Sequence, residues 1–394
     1  MRDARPLLKM AGFPFSNFNS SNMKQNKLFL KTLTGILCFA VVLFSCSKSG
    51  NNKNQGGPGT GATDSVLVNL GTNIILPSYQ QLASATTALD ASITTFNAGP
   101  TLNTLSDLQT AFKNAYKAWA ACSEFEFGPA SDLFLTTHFI NSFPTDTVTI
   151  KNNTGGATYS IDGIGNYAAQ GFPALDYLIY AYGNDAVIAR FTSDVHAAGA
   201  KSYMAALSAS LKTKAAAVAN AWSSTGGNYL KTFINGTGVN AGSSLSLFAN
   251  AYIQDFDVNL QNYKIGIPIG LYGPSVLPIS PSKVEAFYSS LSVQLLVAQV
   301  QACQKIYLGG LDDKVAATNA QNAGVPLNDA IKTELATLLT KIQALPDPLS
   351  TGIQNNAPSI TDAYTEVRKT TVLLKVDMSS ALGIKISFQD DDGD

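Results

Sequence analysis

The stretch AAQGFPALDYLIY, Ala168 to Tyr180, has the pattern of the first turns of a buried helix. Gly171 can end the preceding segment, and Pro173 has the fixed φ that suits a first helical position. Asp176 follows three residues later, where the helix dipole favours an acidic group. Because its neighbours are almost all apolar, this carboxylate needs a polar partner if it is buried. The pattern leaves open whether Asp176 only helps to start a helix or also belongs to a binding site.

Helical periodicity extends outward from this stretch over most of the chain. In TLSDLQTAFKNAYKAWAACSEFEFG, residues 104–128, apolar side chains recur every three or four positions, as on one face of an amphipathic helix. The same spacing recurs in further segments, which are roughly 185–224, 241–263, 281–307, 327–345 and 359–382. Helices of this length with stop signals between them are typical of helical bundles. The sequence therefore predicts an all-α fold.

Two stretches depart from the helical pattern. TDTVTI, Thr145–Ile150, alternates weakly and is followed by KNNTGG, so a small hairpin between helices is compatible with it. GIPIGLYGPSVLPISP, Gly266–Pro281, is too rich in proline and glycine for a helix and predicts a structured arm between two halves. The lengths fit two bundles of similar size, which we place at residues 64–238 and 239–394.

The N-terminal part of the chain has the features of an export signal. The apolar run LTGILCFAVVLF, residues 33–44, follows a basic flank and is shorter than a membrane-spanning helix. The run leads into LFSC, which ends at Cys46 and matches the lipobox of bacterial lipoproteins. We therefore predict a lipoprotein signal peptide over residues 23–45 and acylation of Cys46. An ordinary signal peptide with a chance cysteine is the alternative.

The segments on either side of this signal carry different features. Residues 1–22 lack any signal pattern and are compatible with a gene model extended beyond a natural start at Met23. Residues 46–63 are rich in Gly, Asn and Ser and cannot bury apolar surface. We predict that this segment is a flexible tether between the lipidated cysteine and the folded part.

Charge is scarce and unevenly distributed. The whole chain has a formal net charge of −1, with 13% charged residues and 2 histidines. The residues before Cys46 include six basic and one acidic residue, which leaves 20 basic and 26 acidic residues, or about −6, in a chain that starts at Cys46. A nucleic-acid surface needs a concentrated basic patch. The sequence therefore argues against a nucleic-acid partner.

The 4 cysteines divide by position. Cys38 lies in the predicted signal peptide and Cys46 is the predicted lipid attachment site. Cys122 and Cys303 remain in the folded part, where an exported protein could join them in a disulfide. Two buried free thiols on separate helices are an equally good interpretation.

Five motifs occur in the order in which they occur in imelysin-like proteins. They are AWAACSEFEFGPASD (Ala118–Asp132), QGFPALDYLIY (Gln170–Tyr180), YKIGIPIG (Tyr263–Gly270), KVEAFYSSLS (Lys283–Ser292) and LGIKISFQDDDGD (Leu382–Asp394). After the tether, the chain resembles these exported bacterial proteins, also called iron-regulated or insulin-cleaving proteins, over essentially its whole length. The resemblance implies two packed helical bundles, a cell-envelope location and a role in iron uptake. The family has also been classed with metallopeptidases.

The family signature, Gly-x-His-x-x-Glu, falls on Gly171, Pro173 and Asp176 in this sequence. In the family, the His and Glu lie on one helix face and can converge on a metal or a polar ligand. Here proline replaces the histidine and offers neither a lone pair nor a backbone N–H. Aspartate keeps the charge of the glutamate on a shorter arm. The predicted helix start is retained, but one of the two ligand residues, the histidine, is lost.

Zinc proteolysis has little support in the remaining residues. A catalytic zinc usually binds histidines and a carboxylate, with a general base nearby. His138 and His196 are the only histidines, and neither has a histidine partner one turn away. His138 lies in an apolar setting typical of a core or loop histidine, and His196 in a segment typical of a solvated helix face. The sequence therefore favours binding over peptidase activity.

Carboxylates remain available for binding. Glu124 and Glu126 precede Phe127, Gly128 and Pro129, and Asp132 follows them. The spacing of Glu285, Tyr288 and Ser289 predicts one helix face, and Lys264 precedes the Pro/Gly-rich arm. Iron(III) prefers carboxylate and phenolate oxygens. The candidate ligand-binding residues are therefore Asp176, Pro173, Glu124, Glu285, Tyr288 and Lys264, with Asp176 and Glu124 as candidate metal ligands.

Three functions are compatible with these observations. The first is a non-enzymatic, lipid-anchored protein of the cell envelope that binds iron or another small ligand for uptake, together with an envelope partner. Such a protein would be located at the outer membrane and would face either the periplasm or the cell surface. The second is a metallopeptidase-family hydrolase, against which Pro173 argues directly. The third is a polysaccharide-binding module, which a net-negative chain does not favour for acidic sugars.

Overall fold

The computed structural model describes residues 64–272 and 275–388. The predicted signal peptide, the predicted acylation site Cys46 and the predicted tether lie outside the described residues, as does the suggested extension before Met23. The described residues all belong to one compact unit. Within this part of the chain, no helix combines the length and hydropathy needed to cross a membrane.

The first half of the described chain is built from ten α-helices. They are α1 (Ser65–Asn69), α2 (Leu76–Ala98), α3 (Leu102–Ala120), α4 (Pro129–Asp132), α5 (Thr137–Ile140), α6 (Thr147–Thr154), α7 (Gly171–Tyr180), α8 (Asn184–Thr192), α9 (Ala197–Trp222) and α10 (Tyr229–Asn235). The long helices α2, α3 and α9 form the centre of this half, and α6, α7 and α8 pack on α9. Helix α3 begins with a capping box, in which Thr101 and Thr104 each bind the backbone N–H of the other.

The second half contains seven α-helices. They are α11 (Ser244–Gln254), α12 (Ser292–Ile306), α13 (Asp312–Ala317), α14 (Leu327–Gln343), α15 (Leu349–Gln354), α16 (Pro358–Val372) and α17 (Ser379–Leu382). Helix α14 packs between α12 and α16. Two short antiparallel hairpins are also present, β1 (Leu271–Tyr272) with β2 (Ser275–Val276) and β3 (Gln321–Asn322) with β4 (Val325–Pro326). The all-α prediction is therefore confirmed.

Short segments of other helix types join these elements. The π-helical segments are Leu70–Ile75, Asp255–Gly266, Tyr307–Leu311 and Leu373–Met378, and the 3-10 segments are Ser123–Phe125, Ile164–Ala169 and Pro281–Lys283. The segment Asp255–Gly266 continues α11 without a break and carries several buried polar residues. π-Helical turns are uncommon and are often found at functional sites.

The hydrophobic core runs through both halves, from Val66 to Ile384. Its centre is an aromatic cluster in which Trp222 of α9 contacts Phe127, Phe233 and Tyr79. Aromatic pairs of this kind contribute beyond the burial of their area. Because the core is continuous, the division into bundles at residues 238 and 239 stays a prediction.

The hairpin expected at Thr145–Ile150 is wrong. Asp146 instead caps α6, because its carboxylate accepts hydrogen bonds from the backbone N–H groups of Val148 and Thr149 at 2.9 and 3.0 Å. An aspartate cap of this type outweighs the weak β preference of the threonines that follow it. A hairpin does occur, as β1 and β2, inside the predicted Pro/Gly-rich arm.

The helix expected to begin near Pro281 starts later, at Ser292. Residues 284–291 form a series of turns, in which Ala286 and Ser290 adopt φ values of 52° and 59°. A helix cannot pass through residues in this left-handed conformation. The prediction that Glu285, Tyr288 and Ser289 share a helix face is therefore wrong, and all three belong to this turn segment.

Candidate functional site

Gly171 at the start of α7 allows two chain segments to meet. Its φ is +67°, and a Cβ atom at this position would lie 2.1 Å from the carbonyl oxygen of Ile140. A side chain is therefore excluded here both by backbone conformation and by space. The contact holds the end of α5 against the beginning of α7, and the residue after α5, Asn141, belongs to the site described below.

Pro173 and Asp176 occupy different positions from those predicted. Helix α7 begins at Gly171, so Pro173 is its third residue, still within the turn whose N–H groups lack helical partners. Asp176 is its sixth residue and lies beyond the first turn, so it does not stabilise the helix start through the dipole. Both residues are buried, and Asp176 is only 1% exposed.

The carboxylate of Asp176 binds the turn segment 284–291. Its Oδ2 accepts the backbone N–H of Tyr288 at 2.9 Å, and its Oδ1 accepts that of Ser289 at 3.0 Å. Burial raises the pKa of Asp176 to about 6, although these hydrogen bonds act in the opposite direction. Tyr288 also packs its ring against Tyr177, with 5.2 Å between the centroids. Asp176 thus joins α7 to the segment before α12.

Only a small space remains around the signature residues. A pocket of about 20 Å³, which we call the motif pocket, is lined by Pro173, Asp176, Phe143, Pro144 and Tyr288 among others. This volume is enough for about one water molecule. In this conformation the signature position cannot hold a larger ligand.

A cavity of about 510 Å³ lies next to the motif pocket and shares Phe143 and Pro144 with it. We call it the acidic cavity, after the carboxyl groups in its wall. Its polar lining consists mainly of Glu126, Thr137, His138, Asn141, Asp255 and Asn259. Lys283, which is exposed, also contributes to the wall. Its size is typical of small-molecule sites.

Glu126 enters the acidic cavity from the turn after the 3-10 segment Ser123–Phe125. Its Oε1 accepts a hydrogen bond from the backbone N–H of Thr137 at 2.6 Å and another from the Thr137 hydroxyl. Although the residue is only partly covered, the surrounding protein raises the pKa of its carboxyl to about 8. At neutral pH Glu126 is therefore mainly protonated.

Asp255 begins the π-helical segment and is 2% exposed. Its Oδ1 accepts from Asn259 at 2.8 Å, and its Oδ2 accepts from Gln299 at 2.6 Å and from Ser123 at 3.2 Å. Burial raises the pKa of Asp255, and the nearby ammonium of Lys264 opposes this effect. The side chains around this carboxylate hold it in a fixed orientation at the cavity wall.

Lys264 and Glu285 form a buried ion pair behind the cavity, with 3.0 Å between Nζ and Oε2. The two residues are 2% and 1% exposed. Asn141 donates its amide to Glu285 Oε1 at 2.7 Å and accepts the hydroxyl of Tyr116 at 2.6 Å. The structure therefore brings together two predicted binding residues, but places them in the protein interior, where they connect α3 with the turn segment 284–291.

Glu124 lies fully buried and does not line the acidic cavity. Its Oε1 faces the thiol of Cys303 at 3.5 Å, and its Oε2 has no hydrogen-bond partner. Burial raises its pKa well above the usual range, and the charge of Asp255 adds to this effect. Glu124 therefore lies enclosed in the protein interior, unlike a carboxylate that awaits a substrate.

The described residues contain no group of three or more His, Cys, Asp or Glu side chains arranged to hold a metal ion. Asp176 is bound to the turn segment, and Glu124 faces Cys303. The proposal that these two carboxylates bind a metal stays a prediction. Cys122 and Cys303 are both buried free thiols, in agreement with the second of the two interpretations given above.

The acidic cavity is lined by His138, whose sequence setting is typical of a core or loop histidine, and by Asn141 and Asp255, which carry no binding prediction. The ring of His138 lies edge-on to Tyr167, with 4.5 Å between the centroids, so it is held by an aromatic neighbour at the cavity wall. The sequence signals for this wall are Glu126 among the available carboxylates and the spacing of Asp255 and Asn259, four residues apart. Asn141 carries no signal of its own.

The family model for imelysin, designated peptidase M75, matches residues 75–374. The chain belongs to the imelysin family. The match covers the helices that form the acidic cavity and the signature residues at the start of α7. The chain is therefore an imelysin in which proline replaces the signature histidine. A comparison with curated proteins gave no match.

Two solved structures resemble this imelysin. An imelysin-like protein from Psychrobacter arcticum 273-4 has 18% sequence identity and a TM-score of 0.61, and the alignment covers 82% of this chain and 96% of the other. A protein from Parabacteroides distasonis ATCC 8503, described as an iron-regulated protein A precursor, has 16% identity and a TM-score of 0.63 and covers 82% and 97%. At these identities the comparison establishes the shared fold.

Proposed function

We propose that this imelysin binds a small cationic or metal-containing ligand in the acidic cavity without cleaving it, and that a lipid anchor at Cys46 attaches the protein to the cell envelope. The observation that carries the proposal is the pair of carboxyl groups, Glu126 and Asp255, in the wall of a cavity of about 510 Å³. The motif pocket of about 20 Å³ has no comparable room.

The protonation of these groups supports a positively charged ligand. Burial raises the pKa of both carboxyls, because ionised forms are poorly solvated in the protein. A cation placed between them would supply the missing positive charge and favour the ionised forms. Glu126, with a pKa of about 8, would then release a proton on binding near neutral pH.

Iron is the first ligand to test. Carboxylate and amide oxygens are hard donors that suit iron(III), and Glu126, Asp255 and Asn259 bring such donors to one wall. The solved structure from Parabacteroides distasonis is described as an iron-regulated protein A precursor, which also directs attention to iron. Asp255 and Asn259 are already hydrogen-bonded to each other at 2.8 Å, so binding would exchange that contact for one to the ligand.

A binding role without hydrolysis is supported by the residue that replaces the signature histidine. Pro173 can neither bind a metal nor transfer a proton. His138, the histidine in the acidic cavity wall, has Tyr167 and Phe139 as ring neighbours. A hydrolytic metal centre usually needs two or three good ligands around an activated water.

Attachment to the envelope is supported by the sequence before the described residues. The basic flank, the apolar run and LFSC predict acylation of Cys46. Mass spectrometry of the N-terminus of the protein isolated from its host would detect the acyl group. An unmodified Cys46, or an intact chain that starts at Met23, would contradict the proposed anchor. An envelope partner in uptake would then be sought among proteins that copurify with the acylated form.

The ligand proposal can be tested on the purified protein. We expect iron(III) supplied as a soluble chelate to bind the wild type in calorimetry and to bind at least about tenfold more weakly to Glu126→Gln and Asp255→Asn. Asp362→Asn, a change at an exposed residue of α16, is the matched control. Elemental analysis of protein from the native host would identify a bound metal directly. Equal affinities for all four proteins would overturn the proposal.

A further inference from the structure

A second large cavity lies where α6, α8 and the start of α9 meet. It has a volume of about 590 Å³, and we call it the basic cavity, after Lys151, Arg190 and His196 in its wall. Tyr182 and Ser193 add hydroxyl groups, and Asp194 is the single acidic residue in the lining. None of these residues lines the acidic cavity. We propose that the basic cavity is a separate binding site for a small ligand that carries a phosphate group.

Arg190 provides the central evidence. Its guanidinium lies over the rings of Tyr177 and Tyr182, with Cζ 5.3 and 5.8 Å from the two centroids. These stacking contacts fix the planar group without neutralising its charge. Among the described residues no carboxylate forms an ion pair with Arg190, and its Nη1 is buried without a hydrogen-bond partner. A guanidinium held in this way is prepared for an anionic oxygen.

The other two basic residues reach the cavity because α6 and α9 approach closely. A Cβ atom on Gly199 in the first turn of α9 would lie 2.0 Å from the carbonyl oxygen of Thr154, the last residue of α6. Lys151 belongs to the last turn of α6, and His196 directly precedes α9. Lys151 is exposed and forms no ion pair among the described residues. The contact between glycine and carbonyl therefore places Lys151 and His196 at the same opening.

The acidic residue in the wall forms no ion pair with Arg190 or Lys151. Asp194 directs its Oδ1 to the backbone N–H of His196 at 2.7 Å, within a local turn. Lys151, Arg190 and His196 thus outnumber the single carboxylate in this lining, in a chain whose acidic residues outnumber its basic ones after Cys46. A phosphate group matches this arrangement, because its oxygens accept the paired donors of Arg and the point charge of Lys.

Two phosphate compounds and one dicarboxylate test which anion the basic cavity binds. We expect inorganic phosphate to bind the wild type in calorimetry at low ionic strength, and a phosphate monoester with an aromatic group to bind more tightly through the ring of Tyr182. Succinate, a dicarboxylate that lacks the tetrahedral phosphate oxygens, should bind at least about tenfold more weakly than phosphate at a pH where both are dianions. The absence of phosphate binding up to about 10 mM, or tighter binding of succinate, would overturn the proposal.

Variants locate the site. Lys151→Gln changes an exposed residue and should not affect folding, and it should weaken phosphate binding several-fold. Arg190→Gln should weaken it at least about tenfold. Lys231→Gln, at an exposed lysine of α10, is the control for general loss of charge and should leave the affinity unchanged. Equal weakening by Lys231→Gln and Lys151→Gln would show non-specific attraction and refute the site.

The test of phosphate binding is independent of the ligand that we propose for the acidic cavity. We expect Arg190→Gln to leave iron(III) binding unchanged and Glu126→Gln to leave phosphate binding unchanged, because the two cavities share no lining residue. Thermal unfolding of Arg190→Gln, which loses contacts to two tyrosines, would show whether the variant is folded. A folded Arg190→Gln protein that binds phosphate like the wild type would contradict the proposal.

Discussion

Asp176 accepts the backbone N–H of Tyr288 at 2.9 Å, although the two residues are 112 positions apart in the sequence. The second carboxylate oxygen accepts the next N–H, that of Ser289. The residue at the position of the family's glutamate thus orders the turn segment 284–291, which brings Glu285 to its ion pair with Lys264. In this imelysin the signature aspartate positions the turn segment and the ion pair behind the acidic cavity.

We expect Asp176→Ala to destabilise the protein by about 3 kcal/mol, because two backbone N–H groups lose a charged acceptor. Asp176→Asn keeps one acceptor oxygen and should cost less. Denaturant titration followed by circular dichroism would give both free energies of unfolding. An Asp176→Ala variant as stable as the wild type would show that water replaces the carboxylate at no cost.

The local helical pattern predicted most of the fold. In α3, Leu105, Leu108 and Phe112 are fully buried, as their spacing indicates. The predictions were wrong where a single residue interrupts a favourable pattern. One example is Asp146, which caps α6. Another is Ala286, whose positive φ prevents α12 from beginning before it.

The candidate site was less predictable than the fold. The sequence indicates Glu285 and Lys264 as separate candidates, but their pairing depends on how the turn segment packs, which no local pattern encodes. The acidic cavity wall joins residues from α5, the segment after α3 and the π-helical segment. Residues such as Asn141 become part of it through tertiary contacts, because Asn141 bridges Tyr116 and Glu285.

The buried ion pair of Lys264 and Glu285 should be strongly coupled. Lys264→Met leaves an unpaired buried carboxylate and should destabilise the protein by about 3–5 kcal/mol. Glu285→Gln should also be destabilising, but it keeps the acceptor for Asn141. We expect the double variant to be more stable than the sum of the single effects predicts, by at least about 1 kcal/mol, in a double-mutant cycle. Strictly additive effects would mean that the 3.0 Å contact contributes no coupling.

Glu126 should make stability depend on pH. Its pKa is about 8 in the folded protein, compared with 4.5 in the unfolded chain. A carboxyl with a raised folded pKa contributes stability that is fully present below about pH 4.5 and is lost as the pH rises through about 8. Glu126→Gln removes this contribution. The difference in unfolding free energy between wild type and variant should therefore change by about 2 kcal/mol between pH 5 and pH 9, after allowance for solvent screening. The variant is thus expected to gain relative stability at high pH.

Glutamine keeps an oxygen that can accept the Thr137 hydrogen bonds, so the Glu126→Gln comparison isolates the titration. Asp185→Asn, at an exposed residue of α8, provides the control for a general loss of negative charge. A constant difference between wild type and Glu126→Gln across the pH range would show that the carboxyl titrates as it does in water.

Restoring the signature histidine should not restore a metal centre. In Pro173→His the imidazole must fit beside a pocket of about 20 Å³, which has room for about one water. Its neighbour Asp176 already accepts two backbone N–H groups, so a metal at this position would have to displace the turn segment. We expect the variant to be destabilised by about 1–3 kcal/mol through overpacking, to bind zinc no better than the wild type, and to leave a peptide library uncleaved in the presence of zinc. Pro173→Ala, which creates space without a ligand, is the matched control. Zinc-dependent cleavage by Pro173→His that Pro173→Ala does not show would mean that the hydrolytic centre lacks only its histidine.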